Sequence, residues 1–270
     1  MEAAVRRPAV AGRFYAGDAE ALLGDVQKLV GKPKADVEAL GCVVPHAGYM
    51  YSGHVAGAVY GRLKLPRKFI ILCPNHTGVG RALAIMTRGA WMTPLGEAAI
   101  DEPLAAELMH EFHVLEEDGF AHLAEHSLEV QLPFLQVLAP GFTFVPICIG
   151  VGGYDVLAAL GQAVARVAAR APEKVMVIAS SDMNHYETDA VTRRKDQRAI
   201  GKVLALDPRA LVETVQREKI SMCGYGPTTA MLVAALRLGA QKAVLVKYAT
   251  SADVTGDKQN VVGYAGLVVQ

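Results

Sequence analysis

The alternation of apolar runs with amphipathic stretches along the 270-residue chain predicts an α/β fold. The expectation is one domain, residues 1–270, on a mixed, mostly parallel central sheet with helices on both faces. Three observations carry it. Short runs rich in Val and Ile and bounded by Pro or Gly (GCVVP at 41–45, FIILCP at 69–74, VMVIAS at 175–180) have the composition of buried strands. The first two of these runs flank a helix-length segment, the crossover that right-handed parallel pairing uses. Apolar residues make up 52% of the chain, enough at this length for one large core.

Residues 1–17 lack periodicity and read as irregular, with Pro8 and glycines around Arg13-Phe14-Tyr15. Asp18 is placed to cap a helix over 19–30, which Gly31-Lys32-Pro33 ends. A strand at 41–45 runs through a loop at 47–53 into a helix of small residues at 53–63, and a strand at 68–74 completes a β-α-β unit. Residues 83–87 read as a strand and 91–100 as a hairpin arm, with Gly89 and Gly96 in its turns. Asp101-Glu102-Pro103 opens a helix to about residue 113. Residues 116–125 read as loop. Ser127 then caps a helix to residue 138 that Pro133 is expected to kink. A strand at 142–149, a helix at 155–170 and a strand at 175–180 follow. Helices at 190–204 and 208–217 come next, the second announced by Asp207-Pro208. The loop 221–226 precedes a helix opened by Pro227. Strands at 243–250 and 261–269, separated by a polar turn at 253–260, are expected to join the sheet antiparallel.

Lys plus Arg equals Asp plus Glu, 27 of each, so nothing in the charge draws the chain to nucleic acid or an anionic membrane. A zero net charge offers little colloidal repulsion and suits a homo-oligomer. No apolar run approaches the ~20 residues of a membrane span, and the N-terminus has no secretory signal, so a cytoplasmic protein is expected. Cys42, Cys73 and Cys148 sit in apolar strand-like runs and read as small buried hydrophobes. Glycine-rich nucleotide fingerprints and a nucleophile elbow are missing; Gly150-Val151-Gly152-Gly153 lacks the full dinucleotide pattern.

The chemistry lies at strand ends. In open α/β sheets ligands bind beyond the carboxyl ends of the strands. There the three named runs deliver His46, His76 and the pair Asp182 and His185. Neutral imidazoles suit zinc, copper and iron. Asp182 and His185 suit proton transfer, or a carboxylate that orients a histidine. Cys223, in the polar loop before a helix, is the least core-like cysteine, and a helix N-terminus favours a thiolate. His126 and Glu129, three apart at an expected helix start, share one face if the helix forms. His110 and His113 read as an exposed helix end.

The strings RRPAVAGRFY, PHAGYMYSG, CPNHTG, TPLGE, EHSLEVQLPFL, SSDMNHY and CGYGPTTAML, in this order from residue 6 onward, resemble the Memo protein family. Its members are similar in fold to class III extradiol dioxygenases of the LigB type. Those enzymes hold non-heme Fe(II) with two histidines and a carboxylate and use a further histidine as acid–base catalyst. The resemblance implies metal ligands at His46 and His76, an acid–base role for His185, and Cys223 where the dioxygenases have a glutamate. A thiolate moves preference toward copper or zinc without excluding iron. The resemblance also implies radical-SAM and AMMECR-type partner proteins.

Two functions follow as expectations. The first is metal-dependent redox, dioxygenase-like chemistry on an unknown substrate, with His46, His76 and Cys223 on Fe(II) or copper (zinc as a further option), Asp182 assisting and His185 moving protons. The second is a non-enzymatic module that binds a peptide or small acidic ligand in the same pocket, with Tyr49, Tyr51, Trp91 and Tyr225 as contact surface. A metal-water hydrolase is a third, weaker possibility.

Overall fold

The computed structural model describes residues 5–270, so the first four residues of the expected irregular stretch 1–17 lie outside it. Among the described residues, one 12-stranded sheet organises the fold. In chain order its strands are β1 (Val5–Arg6), β2 (Gly41–Val44), β3 (Lys68–Pro74), β4 (Leu83–Ile85), β5 (Ala90–Thr93), β6 (Gly96–Ile100), β7 (Glu116–Glu117), β8 (Thr143–Ile149), β9 (Val175–Ser180), β10 (His185–Glu187), β11 (Ala243–Thr250) and β12 (Val261–Val269). The main path runs β1-β5-β6-β8-β3-β9-β2-β12-β10, with β11 on β12 and β4 on β7 and β8. The centre, β6-β8-β3-β9-β2, is parallel throughout. β5, β10, β11 and β12 add antiparallel, as expected for the last two from the sequence.

Strand alternation divides the core into two layers. On β3, Ile70 and Leu72 join one apolar cluster while Phe69, Ile71 and Cys73 join the other. β9 divides in the same way, Val177 and Ala179 to one side and Met176 and Ile178 to the other. The helices Glu102–Glu111, Tyr154–Arg170, Asp189–Leu204, Pro208–Arg217 and Tyr225–Arg237 cover the first face. The helices Ala19–Val30, His54–Tyr60 and Leu132–Leu138 cover the second. Both faces of the central strands are therefore buried, which is why they read as unbroken apolar runs. Cys42, Cys73 and Cys148 are fully buried in the second layer.

Several local expectations change. The helix expected at 53–63 is His54–Tyr60, preceded by a π-helical turn at Tyr49–Gly53. Ser127 caps nothing: its N–H and hydroxyl both donate to Glu125 Oε1. A 3-10 turn at Glu129–Gln131 precedes the helix Leu132–Leu138, so Pro133 lies in a first turn, where its missing N–H has no partner to lose, and it starts the helix without kinking it. The stretch 116–125 contains β7 and a helical turn, Phe120–Leu123. β10 was not expected; it is short and bulged, with Tyr186 at φ +60°. No helix among the described residues is long and apolar enough to cross a membrane.

Candidate functional site

β3, β9 and β2 are parallel neighbours, so their carboxyl ends lie side by side. His46, His76 and Asp182 each stand two residues beyond the end of their strand. Cys223 arrives from a distant part of the chain. The loop that carries it presses onto the end of β9 at Gly224, where a Cβ would collide with the Ser180 carbonyl oxygen and the Ser181 side chain. The Gly224 N–H donates to Ser181 Oγ at 3.1 Å. Only glycine fits this approach. Cys223 Sγ then lies 3.2 Å from His46 Nε2, and one ligand atom from each of His46, His76 and Cys223 falls within 4.8 Å of the others.

The protons on these imidazoles follow from their partners. Ser180 Oγ donates its one proton to the Ser127 carbonyl at 2.6 Å and accepts from Gln131 Nε2 at 2.9 Å. The contact with His46 Nδ1 at 2.9 Å is therefore an N–H donating to Ser180. His76 Nδ1 donates to Glu125 Oε1 at 2.9 Å, and His185 Nδ1 donates to the Ser221 carbonyl at 2.8 Å. A ring held in this way keeps its lone pair on Nε2 whenever it is neutral. Burial holds His46 well below its ordinary value, with His76, His126 and His185 adding to the effect, and burial lowers His185 as well. Neutral imidazole is the form that binds metals.

Glu125 is an orienting group. Its oxygens accept from His76 N (2.6 Å), His76 Nδ1, Ser127 N and Ser127 Oγ, leaving little lone-pair capacity for a cation. Burial pushes its carboxyl up, but the bonds from His76 and Ser127 outweigh this and hold it down, at about 2. The group His76, Glu125 and His126 is also close enough to hold an ion, yet Glu125 is already satisfied there by N–H and O–H donors. Asp182 accepts the His46 backbone N–H at 2.8 Å, and its other oxygen stays 4.0 Å from His46 Nε2. Burial raises its carboxyl to about 7. Burial, then the nearby Asp182, pushes the Cys223 thiol well above its ordinary value, so a thiolate here needs a cation beside it.

His46, His76, Asp182, His185 and Cys223 line a cleft of about 640 Å³, together with Arg13, Phe14, Met50, Tyr51, His126 and Tyr186. That is within the size range of small-molecule sites, ~300–1,000 Å³. His126 stacks on His76 at 4.8 Å between ring centres. Met50 and Tyr186 stand 68% and 76% exposed at the mouth. The two histidines, Cys223, Asp182, His185, His126 and Tyr51 thus meet in one cleft.

Tyr49, Trp91, Glu129 and Tyr225 do not line it. Tyr49 is turned inward by the π-helical turn, and its hydroxyl donates to the Val130 carbonyl at 2.7 Å. Trp91 is fully buried beneath the Arg6 guanidinium, 4.0 Å from its ring centre. Glu129 accepts from Arg6, Tyr15 and the backbone N–H groups of Ala9 and Val10. It diverges from His126 because 126–128 is not helical, so spacing by three does not place the two on one face. Tyr225 opens the helix Tyr225–Arg237 and packs against Gly152. His110 and His113 are exposed, as the sequence suggested.

Sequence reasoning missed Glu125, Ser180 and Ser221, each of which accepts from a histidine ring, and Gln131, which donates to Ser180 behind His46. Glu125 and Ser180 stand beside residues already singled out, at a loop start and a strand end. Gln131 and Ser221 carry no local signal at all.

A family model described as Memo-like protein matches residues 6–268. A MEMO1 family protein of Methanopyrus kandleri is 43% identical over 280 residues, covering 97% of this chain and 98% of that protein. One from Pyrobaculum aerophilum is 43% identical over 276 residues, covering 98% of each. Among solved structures, an uncharacterized protein of Escherichia coli K12 aligns with a TM-score of 0.56 at 13% identity, covering 84% of this chain and 98% of that one; this likeness speaks to the fold alone.

Proposed function

The chain belongs to the Memo-like protein family, and from that premise we propose that it is a metal protein whose His46, His76 and Cys223 hold one redox-active ion, iron(II) or copper, for oxidative chemistry on a small substrate. One observation supports this above the others: one ligand atom from each of His46, His76 and Cys223 lies within 4.8 Å of the others in the lining of an open cleft. Two imidazoles and one thiolate suit copper, zinc or iron, and three protein ligands leave positions open. Such an ion supplies one-electron chemistry and polarises a bound oxygen atom.

The chain's own residues do the rest. Ser180 and Glu125 hold the Nδ1 protons of His46 and His76 and so leave Nε2 of each ring as the atom that would bind an ion. His185, its Nδ1 committed to Ser221, has Nε2 free to accept a proton from a substrate in the cleft and to return it. Asp182 fixes the turn that presents His46. Protein purified and kept anaerobic is expected to carry about one iron or copper per chain by elemental analysis, for this donor set. A His46→Ala, His76→Ala double variant with an unchanged circular-dichroism spectrum should carry almost none. Full occupancy in that variant would end the proposal.

The exposed Met50 and Tyr186 and the cationic Arg13 at the mouth favour a second reading, a binding module for a peptide or small acidic ligand. It requires ligand affinity that strong chelators leave unchanged.

A further inference from the structure

Building on the metal reading, we propose that Asn184 is a positioning residue that couples the proton-carrying His185 to the thiol ligand Cys223 by fixing the Ser221 peptide between them. Asn184 is fully buried, and every polar group it has is used. Its Oδ1 accepts from the Ser221 N–H and the Ser221 hydroxyl, both at 3.1 Å. Its Nδ2 donates to Glu187 Oε2 at 2.8 Å and Thr192 Oγ1 at 3.2 Å. Its backbone N–H donates to Asp196 Oδ1 at 2.8 Å, and its carbonyl accepts from the Gly263 N–H at 2.9 Å. The amide orientation is unambiguous, because Ser221 N can only donate and the Glu187 carboxylate can only accept.

Ser221 transmits this anchoring in two directions. Toward β10, its carbonyl accepts from His185 Nδ1 and its hydroxyl accepts from the His185 backbone N–H at 2.7 Å, which sets both the tautomer and the ring position of His185. Along the chain, it lies two residues before Cys223, with the buried Met222 between them. Ser221 is itself exposed at the cleft, so the loop has no apolar burial of its own at that residue. The Asn184 amide therefore supplies the lateral bonds that hold it. Loss of those bonds frees the acceptor of His185 and removes one of the two supports of the Cys223 loop, leaving Gly224 on Ser181 as the other, while His46 and His76, held by Ser180 and Glu125, keep theirs.

The test uses the full chain as wild type, as Asn184→Ala, and as an Asn184→Asp, Glu187→Gln double variant. Aspartate at 184 retains the acceptor for both Ser221 bonds, and an amide at 187 supplies a donor to the oxygen that takes the place of Asn184 Nδ2, which would otherwise face the Glu187 carboxylate; alanine retains neither. Two readouts are taken: 15N chemical shifts of the histidine rings without added metal, and affinity for Co(II) followed by its thiolate charge-transfer band. In Asn184→Ala, His185 is expected to lose its single Nδ1–H tautomer while His46 and His76 keep theirs, and Co(II) affinity should fall about 10–100-fold, the usual effect of removing an outer support of a metal ligand. The Asn184→Asp, Glu187→Gln double variant should retain the His185 tautomer and bind Co(II) within a few-fold of wild type. The proposal is overturned if a folded Asn184→Ala keeps the tautomer and affinity of wild type, or if it disturbs all three histidines alike. If Asn184→Ala does not fold, a folded Asn184→Asp, Glu187→Gln double variant that loses the tautomer overturns it just as well. Wild type that shows no thiolate band at all refutes the metal reading, and the tautomer comparison alone then decides the role of Asn184.

Discussion

His76 presents Nε2 to the cleft because Glu125 takes its Nδ1 proton, its backbone N–H and both Ser127 donors. Glu125→Gln keeps the size of the side chain but removes the charge and turns one acceptor into a donor. Metal affinity by competition with a chelator is expected to drop about 10–100-fold, as for other outer-sphere supports; an unchanged constant would show that His76 needs no carboxylate. At this scale the sequence was half legible. A histidine two residues past a buried strand stands out in His46 and His76, because a strand's end fixes where its side chains emerge. Within EHSLE, spacing by three favoured His126 and Glu129, but that rule holds only in a helix. The irregular backbone here turns Glu125 and His126 toward the cleft region and Glu129 toward the N-terminal segment.

Among elements, the helices Tyr154–Arg170 and Tyr225–Arg237 cross in close contact. At Gly161 an added Cβ would meet the Ala230 carbonyl oxygen and the Val233 side chain. Gly161→Ala gains ~0.5–1 kcal/mol of helix propensity but overpacks the crossing at ~1–3 kcal/mol. A lower melting temperature is therefore expected. An equal or higher one would mean that the crossing has room to spare. Most elements were legible where periodicity, caps and proline agree; Asp18, Asp101 and Asp207 all cap as the sequence suggested. The π-helical turn at Tyr49–Gly53 and the bulged β10 were not, since both are imposed by what lies across the cleft and the sheet and have no period of their own.

Across the whole molecule, the Arg6–Glu129 pair (2.6 Å) ties the N-terminal segment, with Phe14 and Arg13 at the cleft mouth, to the body of the protein. Glu129→Ala leaves a buried guanidinium unpaired and is expected to destabilise the fold by about 3–5 kcal/mol in chemical denaturation; a loss well under 1 kcal/mol would show that the segment is held by other contacts. Stability should also respond to pH through Asp196, whose carboxyl burial raises to about 7, despite hydrogen bonds from Tyr248 and Asn184. An acid raised in the folded state holds its proton longer there than in the unfolded chain. Its stabilising contribution is full below the unfolded value of ~4 and is lost as pH rises through about 7. Compared with wild type, Asp196→Asn should lose less stability between pH 4 and 8 in denaturant titrations. Identical pH slopes would contradict this. Asp182 titrates in the same direction and remains in the variant, so the slope is expected to shrink without vanishing.

The parallel centre, its antiparallel additions and the strand ends that carry His46, His76 and Asp182 were determined by the sequence alone, because burial on both faces and turn chemistry are local properties written in consecutive residues. The tertiary structure alone decided that Cys223 reaches His46 across 177 positions, and which nitrogen of each histidine carries the proton. Those depend on Gly224 fitting against the end of β9 and on Ser180, Glu125 and Ser221 accepting across the fold, contacts between distant segments that leave no repeating mark on the chain.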